Sequence, residues 1–303
     1  LFIEDLMNNA LIQRIRALSA PLDPLPTGLT ATVAPMPGLR AAIFDVYGTL
    51  IVSGVGDISL SQEHARDEGI REALHACGFT VRNEWADAAF GRQLLNLIHS
   101  HQQIQRDTGT EFPEVDIRAV WKDLLMDWRR AEIIEGEAVE AEILAIEYEA
   151  RVNPAWPMPR LKETLDELRE RGVILGIVSN AQFFTPLLFE AFLEQSLDKL
   201  GFDLDLCIWS YEHLQGKPST QLYELAAQRL HEKYSISPQQ AVFVGNDRRN
   251  DVWPAQQVGF QTALYAGDQR SLRLREDDPN CSRVQADAVL TSVDQILSLF
   301  PAV

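Results

Sequence analysis

After Pro159 the chain alternates between short apolar runs and segments of helical spacing, and this alternation restricts its fold more than any other feature. A helix over 160–172 leads to a strand over 173–179. Thr185-Pro186 then opens a helix, with Thr as N-cap and Pro at N1. A strand over 204–210, a helix over 219–234, a strand over 241–245, a helix over 251–258 and a strand over 261–265 follow, and residues 288–290 and a last helix close the chain. Upstream, LRAAIFD at 39–45 is a nearly continuous apolar run, as suits a parallel strand covered on both faces. Strands separated by helices predict an α/β fold with a doubly wound parallel sheet.

The hundred residues after the first strand differ. Segments 59–78, 83–108, 114–134 and 137–151 all have helical spacing, with Asn83 as an N-cap and Pro113 near a helix start. They predict an all-helical insert. Residues 1–19 predict a short amphipathic helix, and Pro21, Pro24, Pro26, Pro35 and Pro37 mark an extended arm. The expected role of this N-terminal part is packing or a homodimer contact. The division is therefore 1–38 as helix and arm, 39–52 with 156–303 as core, and 53–155 as insert.

Charge limits the partners. With 44 acidic residues against 27 Lys and Arg, the formal charge is −17, which argues against nucleic acid and against an anionic membrane surface. No apolar run reaches the ~18 residues of a span. The first segment carries Glu4 and Asp5 and no basic region, unlike a secretory signal. Cys77, Cys207 and Cys281 have neither metal spacing nor a disulfide pattern and suit a reducing cytoplasm. An enzyme for a small anionic substrate would have to overcome this field locally.

In a parallel sheet, ligands bind beyond the carboxyl ends of the strands. Asp45-Val46-Tyr47-Gly48-Thr49-Leu50, Ser179-Asn180, Gly216-Lys217-Pro218 and Gly245-Asn246-Asp247-Arg248-Arg249-Asn250-Asp251 all fall there or at the following helix starts. Singly, each is an ordinary turn or cap. Together they supply a carboxylate, a hydroxyl with an amide, an ammonium and a carboxylate pair. Lys217 offsets one of the three charges on Asp45, Asp247 and Asp251, so a hard divalent ion, Mg²⁺, is the expected further cation.

These four clusters, in this order, resemble the motifs of the haloacid dehalogenase superfamily over residues 39–290. The resemblance implies a Rossmann-like core with the insert as a helical cap that sets substrate choice. It implies Asp45 as nucleophile, Ser179 binding the transferred group, Lys217 holding that group and the nucleophile, and Asp247 and Asp251 placing the metal, with the Tyr47 carbonyl as a further ligand. Family phosphatases carry a second Asp two residues after the nucleophile; here that residue is Tyr47, a phenol of pKa about 10 that can donate a proton but is a poor base, so the acid/base work is expected of Tyr47, a cap residue or water. Asp-x-Tyr-Gly-Thr-Leu and Ser179-Asn180 resemble the L-2-haloacid dehalogenase branch, whose halide leaves without a proton and whose cap supplies an Arg; Arg66, Arg71, Arg82 and Arg92 are available. The acid pair resembles Mg²⁺-dependent phosphatases. The expectation is a Mg²⁺-dependent phosphatase acting through an aspartyl phosphate, with a dehalogenase as the alternative and a catalytically weak binding protein as the third.

Other residues carry milder expectations. His99 and His101 read as solvated surface, and Trp85, Trp121, Trp128 and Trp156 chiefly as packing. Arg248 and Arg249 suit surface salt bridges or a phosphate, and Arg151 a substrate contact. Glu135, Glu137, Glu140, Glu142, Glu147 and Glu149 read as one solvated acidic face.

Overall fold

The computed structural model describes residues 2–55 and 63–300. Six strands form the main sheet: β1 (Ala41–Phe44), β2 (Ile174–Ser179), β3 (Phe202–Trp209), β4 (Ala241–Gly245), β5 (Gln261–Tyr265) and β6 (Ala288–Leu290). Their spatial order is β6-β5-β4-β1-β2-β3, with every pairing parallel. β1 is central, and its alternation is visible in the packing. Ala42 and Phe44 enter one apolar cluster while Ala41 and Ile43 enter another on the opposite face. That two-sided burial is why the strand reads as an unbroken apolar run. The doubly wound, Rossmann-like α/β core is as predicted.

The cap lies between β1 and β2 in the chain. It contains α2 (Glu63–Ala76), α3 (Phe90–Asp107), α4 (Ile117–Arg130) and α5 (Ala141–Val152). Ile70, Leu74, Phe90, Trp121, Trp128 and Leu144 form its own buried cluster. An antiparallel pair, Ile51–Ser53 with Ala155–Pro157, joins it to the core. The cap is not purely helical: Thr80–Val81 pairs antiparallel with Ile134–Glu135. Several predicted starts also shift. Asn83 opens a single 3₁₀ turn, and α3 begins at Phe90. Pro113 lies just ahead of α4, and Asp116 caps the helix, accepting from the Arg118 amide at 3.0 Å. Residues 59–62 of the first predicted cap helix lie outside the described residues.

In the core, α6 (Leu161–Glu170) precedes β2 and α7 (Thr185–Leu193) follows it. Phe184, one residue earlier than expected, is the N-cap of α7. The expected helix at 251 is a π-type turn over Arg248–Val252 running into Trp253–Val258, and the closing helix is 3₁₀. Among the described residues no helix is long and apolar enough to cross a membrane.

The N-terminal part is tied to both layers. In α1 (Phe2–Leu18), Leu11, Ile12 and Ile15 are buried in the main core cluster. Arg14 pairs with Glu147 of α5, while Arg16 donates to the carbonyls of Ala191 and Glu190 of α7 at 2.7 and 2.8 Å. Thr32 then pairs antiparallel with Val289, covering the β6 edge. An Ile12→Ala change is expected to cost about 2–5 kcal/mol, since the cavity would open in a packed core. Urea unfolding checks this; an unchanged midpoint would mean the helix contributes nothing.

Candidate active site

Asp45 follows directly on β1 and is 6% exposed. Its Oδ1 accepts from Lys217 Nζ at 2.7 Å and from Ser179 Oγ at 3.0 Å. The same Nζ donates to Asp251 Oδ1 at 2.6 Å, so one buried ammonium bridges two buried carboxylates. Asn180 serves this bridge from behind. Its Oδ1 accepts from the Lys217 amide at 2.7 Å, and its Nδ2 donates to the Lys217 carbonyl at 3.3 Å. Asp251 is fixed in turn, its Oδ2 accepting from the Asp247 amide at 2.8 Å. A side chain at 245 would place Cβ 2.4 Å from the Asp251 carboxyl carbon, so the position needs glycine. Gly48 has φ +80°, and a Cβ there would lie 2.3 Å from that of Ser271.

Burial opposes the Lys217 ammonium, yet Asp251 and Asp45 together hold its pKa above the ordinary lysine value. Burial also pushes the Asp251 carboxyl up to about 7, with Lys217 pulling it back and Asp45 and Asp247 adding to the rise. Tyr47 is half-buried, and its hydroxyl is 3.0 Å from Thr185 Oγ1. Burial, then the charge of Glu149, raises the phenol well above its usual range despite the Thr185 bond, so it stays protonated.

These groups open into a cavity of about 490 Å³ between core and cap. Asp45, Tyr47, Asn180, Lys217, Asp247 and Asp251 all line it. Ser179 reaches it through its bond to Asp45. Of the four cap arginines weighed, Arg66 lines the cavity. Arg71 stacks on Phe90 and Arg82 pairs with Glu132 and Glu135. Arg151, expected at the substrate, instead pairs with Glu147 and Glu72. Arg249 pairs with Asp278, and Arg248 donates to the Ser282 carbonyl. His99 borders the cavity while His101 meets Asp123 at 3.0 Å, so the two are not equivalent. Trp121 and Trp128 pack inside the cap, Trp156 packs on Phe192, and Trp85 is exposed. The acidic face is not uniformly solvated: Glu147 is buried, and Glu149 faces the cavity.

The loop after β5 supplies residues the sequence reading missed. It runs beside the last motif, with the Arg248 amide donating to the Arg273 carbonyl at 2.9 Å and the Arg273 amide to the Asn246 carbonyl at 3.0 Å. Arg275 grips Asp247 through both oxygens, at 2.6 Å from Nη2 and 3.1 and 3.2 Å from Nε. Ser271, Arg273 and Arg275 line the cavity. These residues also follow a strand, so the strand-end rule applied once more would have found them.

This loop changes the metal argument. Among the described residues no cluster of three His, Cys, Asp or Glu side chains stands ready to hold a metal. Lys217 stands between two of the acids, and Arg275 covers the third. A hard cation fits a smaller donor set. Among the described residues, Asp45 Oδ2 has a single long contact, Thr49 Oγ1 at 3.5 Å, and remains available. Asp251 keeps lone pairs beyond those used by Lys217 and the Asp247 amide. Asp247 fits only if Arg275 withdraws.

A parallel sheet carrying a nucleophile-type Asp, a bridging Lys and a cap over the cleft defines a class, and the chain belongs to it. The family model for haloacid dehalogenase-like hydrolase matches residues 39–259, and this protein is a hydrolase of that family. It is 27% identical over 203 residues to a ribulose-1,5-bisphosphate 5-phosphatase of Halopiger xanaduensis, covering 65% of this chain and 78% of that one. It is 25% identical over 227 residues to (S)-2-haloacid dehalogenase 4A of Burkholderia cepacia, covering 74% and 81%. The fold also matches the crystal structure of 2-haloacid dehalogenase from Pseudomonas syringae, with a TM-score of 0.52, 18% identity and coverage of 86% and 97%.

Lys217→Met would leave Asp45 and Asp251 facing each other in the interior. The expected loss is about 3–5 kcal/mol at neutral pH. Without Lys217 the Asp251 pKa rises further above its unfolded value, and a raised carboxyl is stabilising only when protonated. The deficit should therefore be largest above pH 7 and shrink as the pH falls. Chemical unfolding across that range checks the sign; a deficit that grew on acidification would contradict it.

Proposed function

We propose that this hydrolase cleaves a small phosphate monoester through Asp45, as a Mg²⁺-assisted phosphatase. The observation that carries this reading is the Asp45–Lys217–Asp251 bridge: one carboxylate oxygen is immobilised, the other is left available, and a second buried carboxylate stands beside it. Asp45 attacks phosphorus while the bond to the alcohol oxygen breaks, giving an aspartyl phosphate that water then hydrolyses. Lys217 keeps Asp45 aimed, and Ser179 offers a hydroxyl to the transferred group once it turns from Asp45. Asn180 holds the Lys217 backbone and so acts on its position. Bound Mg²⁺, held by Asp45 Oδ2, Asp251 and the Tyr47 carbonyl, would neutralise charge on the phosphoryl oxygens. Likeness to the archaeal bisphosphate phosphatase supports this reading.

A second reading has its own support. Tyr47 occupies the position of the phosphatase acid, and Arg66 brings a cap cation into the cavity. Both suit displacement of halide from a 2-haloacid by Asp45, and the Burkholderia relative is a dehalogenase. Three unpaired cysteines suit a reducing cytoplasm for either enzyme.

Phosphate release from a panel of esters should require Mg²⁺, cease with EDTA, and fall by at least about 1,000-fold in Asp45→Asn. Full activity after chelation would refute the metal assignment. Chloride release from 2-chloropropionate without phosphate release from any ester would transfer the assignment to the second reading.

A further inference from the structure

We propose that Glu149, on cap helix α5, is the proton-transfer group of this site, protonating the departing alkoxide and then taking the proton of the hydrolytic water. The proposal rests on the phosphatase reading. It answers a gap that the motifs leave open, because Tyr47 stands where family phosphatases carry that acid.

Tyr47 cannot do both halves of the work. Its hydroxyl is engaged with Thr185 Oγ1 at 3.0 Å, and a phenol held protonated offers no base. Glu149 lines the same cavity as Asp45 and Tyr47, and the charges of Glu149 and Asp45 both act on the Tyr47 phenol. The carboxyl therefore comes from the cap to the neighbourhood of the position that lost its acid.

Its mooring suits a group that must stay registered to the core. Glu149 Oε1 accepts from Asn153 Nδ2 at 3.1 Å. Asn153 Oδ1 accepts in turn from Ser53 Oγ at 2.7 Å, on the strand that joins core to cap. Among the described residues an amide, not a cation, holds Glu149, so neither protonation state is locked in. Ile15 and Ser19 of the N-terminal segment, with Phe184 and Leu188, close the space behind it. Burial raises this carboxyl to about 7, with Asn153 opposing, so acid and base forms are both accessible at neutral pH. Glu114 also lines the cavity, but the Ser210 hydroxyl and the Val115 amide occupy its two oxygens.

The steps balance. As the Asp45 carboxylate bonds to phosphorus, the ester P–O bond breaks and its electron pair takes the Glu149 proton, releasing the alcohol. Glu149, now a carboxylate, accepts a proton from the attacking water. The acyl-phosphate P–O bond breaks, returning Asp45 as carboxylate and releasing inorganic phosphate.

Leaving-group dependence tests this. Glu149→Gln keeps an acceptor for Asn153 but has no proton to transfer. With the alkyl phosphate turned over fastest by wild type, kcat/KM should fall about 100- to 10,000-fold. With p-nitrophenyl phosphate, whose leaving group needs no proton, Glu149→Gln should release a burst of one p-nitrophenol per site and then slow as the aspartyl phosphate accumulates. Glu149→Asp should recover part of the alkyl activity, and it carries the test if the Gln variant does not fold. Wild-type kinetics in folded Glu149→Gln, equal losses on both esters without a burst, or the burst appearing in Glu114→Gln instead would each overturn the proposal. Wild type turning over neither ester would overturn the phosphatase reading, and the proposal with it. Turnover of both esters by wild type isolates any failure to Glu149.

Discussion

The buried bridge from Lys217 to Asp45 and Asp251 is the interaction on which the site depends. Three charges in the interior are costly to desolvate, and only short, mutually satisfied contacts offset that cost. The structure meets the condition at 2.7 and 2.6 Å. It does so by drawing together the ends of β1 and β4 and the segment before the helix Gln221–Tyr234 (α8). Asn180, at the end of β2, fixes the lysine backbone from the other side. One ion triad thus ties three chain segments together at the edge where a ligand would enter, and it leaves Asp45 Oδ2 without a close partner among the described residues.

Cations beyond the triad show how a chain of charge −17 could receive an anion. The sequence reading allotted one cation, Lys217, to three acids and so required a metal for balance. The cavity in fact draws Arg66 from the cap and Arg273 and Arg275 from the loop after β5. Arg275 neutralises Asp247 directly. Burial raises Glu149 to about 7, which lessens its negative charge near neutral pH. The local field is therefore not that of the whole molecule.

What the sequence made legible follows from local chemistry. The strands were readable because burial on both faces leaves continuous apolar runs, and the residues after them because parallel strands share one carboxyl edge. Asp45, Lys217 and Asp251 were found this way, and the structure brings them together. Partnerships between distant segments were not legible. Arg275 and Asp247 are joined by a backbone bridge between Asp247 and Arg273 that no periodicity announces. Glu147 and Glu149 looked like one acidic face, yet Glu147 turns to Arg14 and Arg151 while Glu149 turns to the cavity. Residues two apart on a helix point in different directions, a distinction the charge run concealed.

The family match ends at residue 259 and begins at 39, yet residues after it line the cleft and residues before it pack behind the cleft wall. β5 is parallel to its neighbours, so its following loop must emerge at the catalytic edge, and Ser271, Arg273 and Arg275 arrive there by topology. The arm fastens that loop: the Leu25 amide donates to Asp268 Oδ1 at 3.0 Å, and Thr27 Oγ1 to the Ala266 carbonyl at 2.7 Å. The helix before the arm packs on cap α5 and core α7, against the wall behind Glu149. The flanking segments therefore brace two parts of the site, the cap helix on one side and the arginine loop on the other. A common core with Asp45 and Lys217 can serve several leaving groups. Which one it serves here turns on side chains that these flanking contacts hold in place.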